Sequence, residues 1–181
     1  MNLPLLIEAI LFSSDEPVSL PRLTEALETS EKEILSAIAE LERVYSDRGV
    51  TLKRVSGGFM FATRPEFSDV IEKTLSKKVP LSLSKGTMET LAIVAYKQPV
   101  TRQDIESVRG VNPEASIETL LEKGLIREVG RKKTLGRPKL YGTTDEFLRK
   151  AGLNSIEDLP PLDGPDENAG AKLLPDPPEE T

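Results

Sequence analysis

The sequence predicts an α+β fold, mostly helical, built as two tandem winged-helix domains, each three helices plus a β-hairpin wing. Three observations predict it. A helix with clear end signals runs straight into a basic hairpin over residues 112–144. Pro17-Val18-Ser19 returns as Pro99-Val100-Thr101, an offset of 82, with caps and apolar positions repeating around it. Elsewhere the apolar spacing is that of helix faces, interrupted where Gly and Pro bound short runs of β-branched and aromatic residues.

The first domain opens on Leu3, Leu6, Ile7, Ile10 and Leu11, one face of a helix from Leu3 to Ser13. Pro17-Val18-Ser19 starts a second helix, with Ser19 as cap and Leu20, Leu23 and Leu27 facing inward. Ser30 and Glu33 form a capping box, in which each side chain satisfies the other's backbone donor. It opens a third helix with Ile34, Ile38, Leu41 and Tyr45 on one face and Leu35 alongside, ended by Gly49. Val50–Val55 and Phe59–Thr63 read as strands turning at Gly57-Gly58. Pro65 opens a closing helix through Phe67, Val70, Ile71 and Leu75.

The second domain repeats the order. Ser84 caps a helix whose Met88, Leu91, Ala92 and Ala95 share a face, while Ile93, Val94 and Tyr96 make it apolar nearly all round. Such a helix is expected to be buried on several sides. Thr101 and Asp104 form a second capping box, and Ile105 repeats Leu23. At the same offset Asn112 falls on Ser30, Ile117 on Leu35 and Leu120 on Ile38. Asn112 suits the cap of the third helix, Pro113 its first position and Gly124 its left-handed exit. Leu125, Ile126 and Val129 mark the first strand of the wing; Leu140, Tyr141 and Thr143 mark the second. A short helix from Thr144 carries Phe147 and Leu148, and Ile156 and Leu159 can still pack.

The expected division is 1–80, 81–159 and a tail, 160–181. The tail holds six prolines and no aromatic residue, with six carboxylates against Lys172, a net of −5. It cannot bury enough apolar surface to offset its ordering entropy and is expected to be disordered.

Composition removes most chemistry. There is no Cys and no His among 181 residues, so thiolates, disulfides, imidazole bases and the commonest metal ligands are all missing. No cofactor and no enzymatic activity are expected. A net charge of −6 does not suggest a nucleic-acid binder on bulk charge, and 4% aromatics is too sparse for stacking platforms. The N-terminus lacks a basic region and Glu8 interrupts its apolar run, so it does not read as a signal peptide. No apolar run approaches the ~18 residues of a membrane span. A soluble, cytoplasmic protein is expected.

LAIVAYKQPVTRQDIESVRGV (91–111), LLEKGLIREVGRKKTLGRPKLYGTTDEFL (120–148) and LPPL (159–162) resemble segregation and condensation protein B of bacteria. The resemblance spans about residues 3–162 and is strongest in the second domain, where KQPVTR and GRPKLYGTT occur together. It implies a tandem winged-helix homodimer that binds the kleisin subunit, segregation and condensation protein A. Through that kleisin it implies action with the structural-maintenance-of-chromosomes (SMC) ATPase in chromosome condensation and segregation, hence association with the nucleoid.

Two groups of residues are candidate surfaces. Arg131, Lys132, Lys133, Arg137 and Lys139 crowd the second wing, either as a solvated turn or as an electrostatic contact to phosphate or an acidic segment. Leu3, Leu6 and Ile10, with Met60 on the strand face opposite Phe59 and Phe61, are the candidate dimer surface.

The rival reading is a winged-helix transcription regulator that reads DNA. Charge argues against it. Residues 113–123 carry three glutamates against Lys123, a net of −2. Residues 31–48 carry five carboxylates against three cations, again −2. A helix among phosphates ordinarily carries Arg or Lys. DNA binding is therefore expected to be weak and non-specific at most.

Overall fold

The computed structural model describes residues 2–75 and 83–161. The chain forms two compact units divided between Lys78 and Val79.

In the first unit α1 (Leu3–Ser13), β1 (Val18–Ser19), α2 (Leu20–Leu27) and α3 (Glu31–Val44) precede the hairpin β2 (Val50–Val55) and β3 (Gly58–Thr63). A single 3-10 turn, Pro65–Phe67, and α4 (Ser68–Leu75) follow; no residue of α4 is fully buried. The second unit runs α5 (Lys85–Lys97), β4 (Val100–Thr101), α6 (Arg102–Arg109), α7 (Glu114–Glu122), β5 (Ile126–Arg131), β6 (Lys139–Thr143) and α8 (Asp145–Ala151). Each unit has the helix, strand, helix, helix, hairpin order of a winged helix.

The hairpins are parts of three-stranded antiparallel sheets, β1-β3-β2 and β4-β6-β5. The sequence reading missed β1 and β4, placing their residues at helix starts. Two residues are too few to show a period of two, and what makes them strands is their partners: Val18 lies opposite Phe59, and Val100 opposite Tyr141. These partners also obey the offset of 82, as does α6 against α2.

Third helices break that register. α7 starts at an offset of 83 from α3, because four residues rather than three separate it from the preceding helix. Ile117 therefore corresponds to Ile34, both buried, and not to Leu35, which is 44% exposed. Leu120 falls on the buried Ala37 rather than on Ile38.

Ser30 and Thr101 cap as expected, each inside a complete capping box, and Ser84 accepts from the Thr87 N–H. Ser19 makes no such bond; its place is held by pairing with Gly58. Asn112 lies one residue before the cap position but does accept from the Glu114 N–H at 3.0 Å. Gly124 leaves α7 at φ +66, as expected. Gly49 does not end α3, which stops at Val44, where Tyr45 turns away to donate its hydroxyl to Glu8 at 2.7 Å. The first wing turns on Ser56 and Gly57, both at positive φ, and Gly58 already belongs to β3. That is the two-residue loop whose twist matches its strands.

The core of the first unit gathers Ile7, Leu11, Leu23, Ile34, Ile38 and Leu41 with Val18 and Phe59 from the sheet. The core of the second is built on α5, where Leu91, Val94 and Ala95 are buried and Met88, Ile93 and Tyr96 pack around them. That helix is covered on several sides, as its composition requires. Phe147 from α8, fully buried, closes this core, and Leu153, Ile156 and Leu159 pack on it. The acidic tail from Leu162 onward lies outside the described residues.

Candidate functional site

The second wing differs from the first in proportion. α7 has 9 residues where α3 has 14, while the loop between strands grows from residues 56–57 to residues 132–138. Within that loop Lys132 N–H donates to Pro138 O and Arg137 N–H to Thr134 O, both at 2.9 Å. Gly136 at φ +81 permits the turn, and Arg137 holds φ +42.

All five candidate cations are exposed, but the structure divides them. Arg131 and Lys139 lie opposite each other at the strand ends and share Glu128, at 3.5 and 3.0 Å. Lys132 reaches the Asp104 carboxylate on α6 at 3.5 Å. Such exposed pairs contribute at most ~1 kcal/mol each, so they aim side chains more than they stabilise the fold. Lys133 and Arg137 have no ion-pair partner among the described residues. Between them stands Leu135, fully exposed, a residue the sequence reading passed over. Its signal was available: a lone large apolar residue inside a charged loop.

Asp104 links the wing to the helices. Its Oδ2 accepts from the Thr101 backbone N–H at 2.9 Å and the Thr101 hydroxyl at 2.7 Å, while Oδ1 faces Lys132. The backbone bond from Thr101 is the main cause that holds this carboxyl below the usual aspartate range, with the hydroxyl and Lys132 adding to it. The folded state therefore binds fewer protons than the unfolded one around pH ~4. Its stabilisation is complete above that pH and is lost as pH falls through the folded value. Asp104→Ala is expected to cost about 1 kcal/mol at neutral pH, the scale of a lost helix cap. The gap between thermal melts of parent and variant should narrow as pH falls below the ordinary aspartate value. A gap that does not narrow would place the effect in packing instead.

Beside the wing, α7 presents Glu114, Glu118 and Glu122, all exposed. Arg102 of α6 is engaged by Glu114 at 2.8 Å and Asn112 at 3.2 Å. Val108, Val111 and Leu121 are exposed apolar residues on this same unit.

On the first unit, Leu6 and Ile10 line an open groove of about 590 Å³ with Arg22, Leu23 and Ala26 of α2. Leu3 and Ile10 are half-buried and pack on their own core, and Met60 sits on β3 opposite Lys53, away from that groove. The structure thus joins Leu6 to Ile10 but does not gather all four. The exposed large apolar residues of α1 are Leu5 and Phe12, at 60% and 82%. Phe12 lines a second, smaller groove with Tyr45, Val50 and Phe61. Sequence periodicity missed both because it identifies the inward face and leaves the outward one unranked.

Among the described residues no cluster of His, Cys, Asp or Glu could hold a metal ion, and no helix is long and apolar enough to cross a membrane. Two units of helix, strand, helix, helix and hairpin, with acidic third helices and one long basic hairpin loop, set the class of fold. Residues 5–162 match the family model described as segregation and condensation complex subunit ScpB, and the chain belongs to that family. It is 48% identical over 164 residues to segregation and condensation protein B of Carboxydothermus hydrogenoformans, covering 90% of this chain and 88% of that one. The corresponding protein of Symbiobacterium thermophilum is 43% identical over 161 residues, covering 88% and 73%. A solved structure of a dimer of ScpB N-terminal domain complexed with ScpA peptide is 34% identical over 39% of this chain and 91% of that one, with a TM-score of 0.37.

Proposed function

We propose that this chain is a non-enzymatic subunit of a bacterial SMC–kleisin complex. It binds the kleisin, segregation and condensation protein A, and through it the SMC ATPase, in chromosome condensation and segregation during cell division. The observation that carries this reading is charge placement. α7 offers solvent three glutamates, and α3 offers Glu31, Glu33, Glu40 and Glu42, where a groove-reading helix needs Arg or Lys. The densest group of cations lies on the wing, and the same unit exposes Val108, Val111 and Leu121. Both signs of charge and exposed apolar side chains on one unit suit a polypeptide segment, whereas DNA offers one sign along its backbone. The chain acts in the cytoplasm as a homodimer joined through the first unit, with Leu6 and Ile10 in the contact.

One experiment tests these points together. Sedimentation of the purified chain should give a dimer mass; a monomer removes the homodimer. Titration of the same sample at ~0.15 M salt should then give binding to the kleisin and none to duplex DNA, because screening weakens exposed phosphate contacts. Tight, sequence-selective DNA binding without kleisin affinity would restore the regulator reading.

A further inference from the structure

We propose that the tip of the second wing is the docking site for the chain's own acidic C-terminal segment, residues 163–181. The tip is an apolar side chain between two exposed cations. Leu135 is fully exposed, and Lys133 and Arg137 have no ion-pair partner among the described residues, while the other three wing cations are held by Glu128 and Asp104. Hydrogen bonds within the loop fix its path, with Arg137 kept in the left-handed region, so these side chains are displayed on a set backbone.

The occupant is argued from charge, pattern and reach. Residues 163–181 carry six carboxylates against Lys172, and they place Leu173-Leu174 just ahead of Asp176, Glu179 and Glu180. The segment is acidic overall where the wing is basic, and it carries an apolar pair of its own beside Lys172. The segment also departs from the unit that bears the wing. Leu159 packs on the core of that unit, and the Tyr96 hydroxyl donates to Pro160 O at 2.8 Å. From Pro161 to Leu174 an extended chain spans up to about 45 Å. A unit of this size is about 30 Å across. The segment therefore reaches the wing tip from where it starts. Tethering raises its local concentration to about the millimolar range, sufficient for a weak electrostatic contact to be populated. An anionic partner of the wing must then displace the segment, which makes it a built-in competitor.

The test uses the full-length chain, whose lack of Cys allows one nitroxide label at Ala171→Cys. In an isotope-labelled sample at low salt, amide signals of residues 132–138 are expected to lose most of their intensity and to regain it when the nitroxide is reduced. The loss should vanish at ~1 M salt, where screening acts within about 3 Å, and in the Lys133→Glu/Arg137→Glu variant. Both substitutions are at exposed positions with no ion pair among the described residues, so the variant keeps its fold. Broadening that is uniform, or centred on any other surface, overturns the proposal. A mixture of nitroxide-bearing chain with isotope-labelled, nitroxide-free chain separates the two sources of tail. Broadening of the wing in that mixture places the segment on a second copy and overturns the intramolecular contact; its absence supports it.

Discussion

Phe147→Ala is expected to destabilise the second unit by about 3–5 kcal/mol, the range for removing a buried aromatic ring. Phe147 is fully buried and is the largest side chain in that core without solvent contact. Its position is fixed from both sides. Its own N–H donates to the Thr144 hydroxyl, and that hydroxyl donates to Gly124 O at the exit from α7. α8 is thus bolted to the base of the wing, and the ring it delivers joins the buried cluster that includes Leu91, Ile105, Leu120 and Leu125. Removing it leaves a void that these neighbours cannot close without moving the wing. For a unit of this size each kcal/mol corresponds to about 4–8 °C, so its melting temperature should fall by at least ~12 °C. Scanning calorimetry should show that fall in one transition and leave the other, from the first unit, in place. A single transition falling as a whole would count against two separately folding domains. Phe67→Ala is the control, since Phe67 is 40% exposed and packs at the edge of the first unit. Its effect should be well below that of Phe147→Ala, because less of its ring is removed from water.

How far the fold was legible follows from which signals are local. The bounds of α1 and both capping boxes were readable because caps and helix faces are written within four residues. The doubled unit was readable because two copies of one pattern reinforce each other. β1 and β4 were not, since a two-residue strand exists only by virtue of the strand opposite. The slip from 82 to 83 at α7 was hidden by apolar residues at both Leu35 and Ile34, so either register looked amphipathic. The wing behaved in the same way. Its five cations were visible as a group, but their division was not. Glu128 serves Arg131 and Lys139 only because a bulge between Glu128 and Gly130 sets the strand register, and Asp104 comes from a different helix.

Gly58→Val is expected to destabilise the first unit by about 1–3 kcal/mol or more, although intrinsic strand preference argues the other way. In the sequence Gly57-Gly58 looks like a turn, and a valine there would be a modest loss. Placed in β3, a glycine is the weaker strand former, and preference alone would favour valine within a scale of about 1 kcal/mol. Close approach reverses the sign. A Cβ at Gly58 would stand 2.9 Å from the Val18 carbonyl carbon and 3.0 Å from the Pro17 carbonyl carbon. These are backbone atoms of the segment that pairs with β3, with Ser19 opposite Gly58, so no side chain can swing aside. Relief requires β1 to lift off the sheet, and Val18, 4% exposed, would leave the core with it. Overpacking of this kind typically costs 1–3 kcal/mol, and the exposed valine adds to it. The neighbouring Gly57 makes the contrast. A Cβ there meets nothing within 4 Å, but φ is +72, so Gly57→Ala should cost only the backbone strain, about 1 kcal/mol. Urea unfolding of both variants gives the comparison, and hydrogen exchange should show protection lost at β1 in Gly58→Val alone. If the two glycines respond equally, the contact between β1 and β3 is softer than 2.9 Å implies, and the third strand is not what holds Gly58 in place.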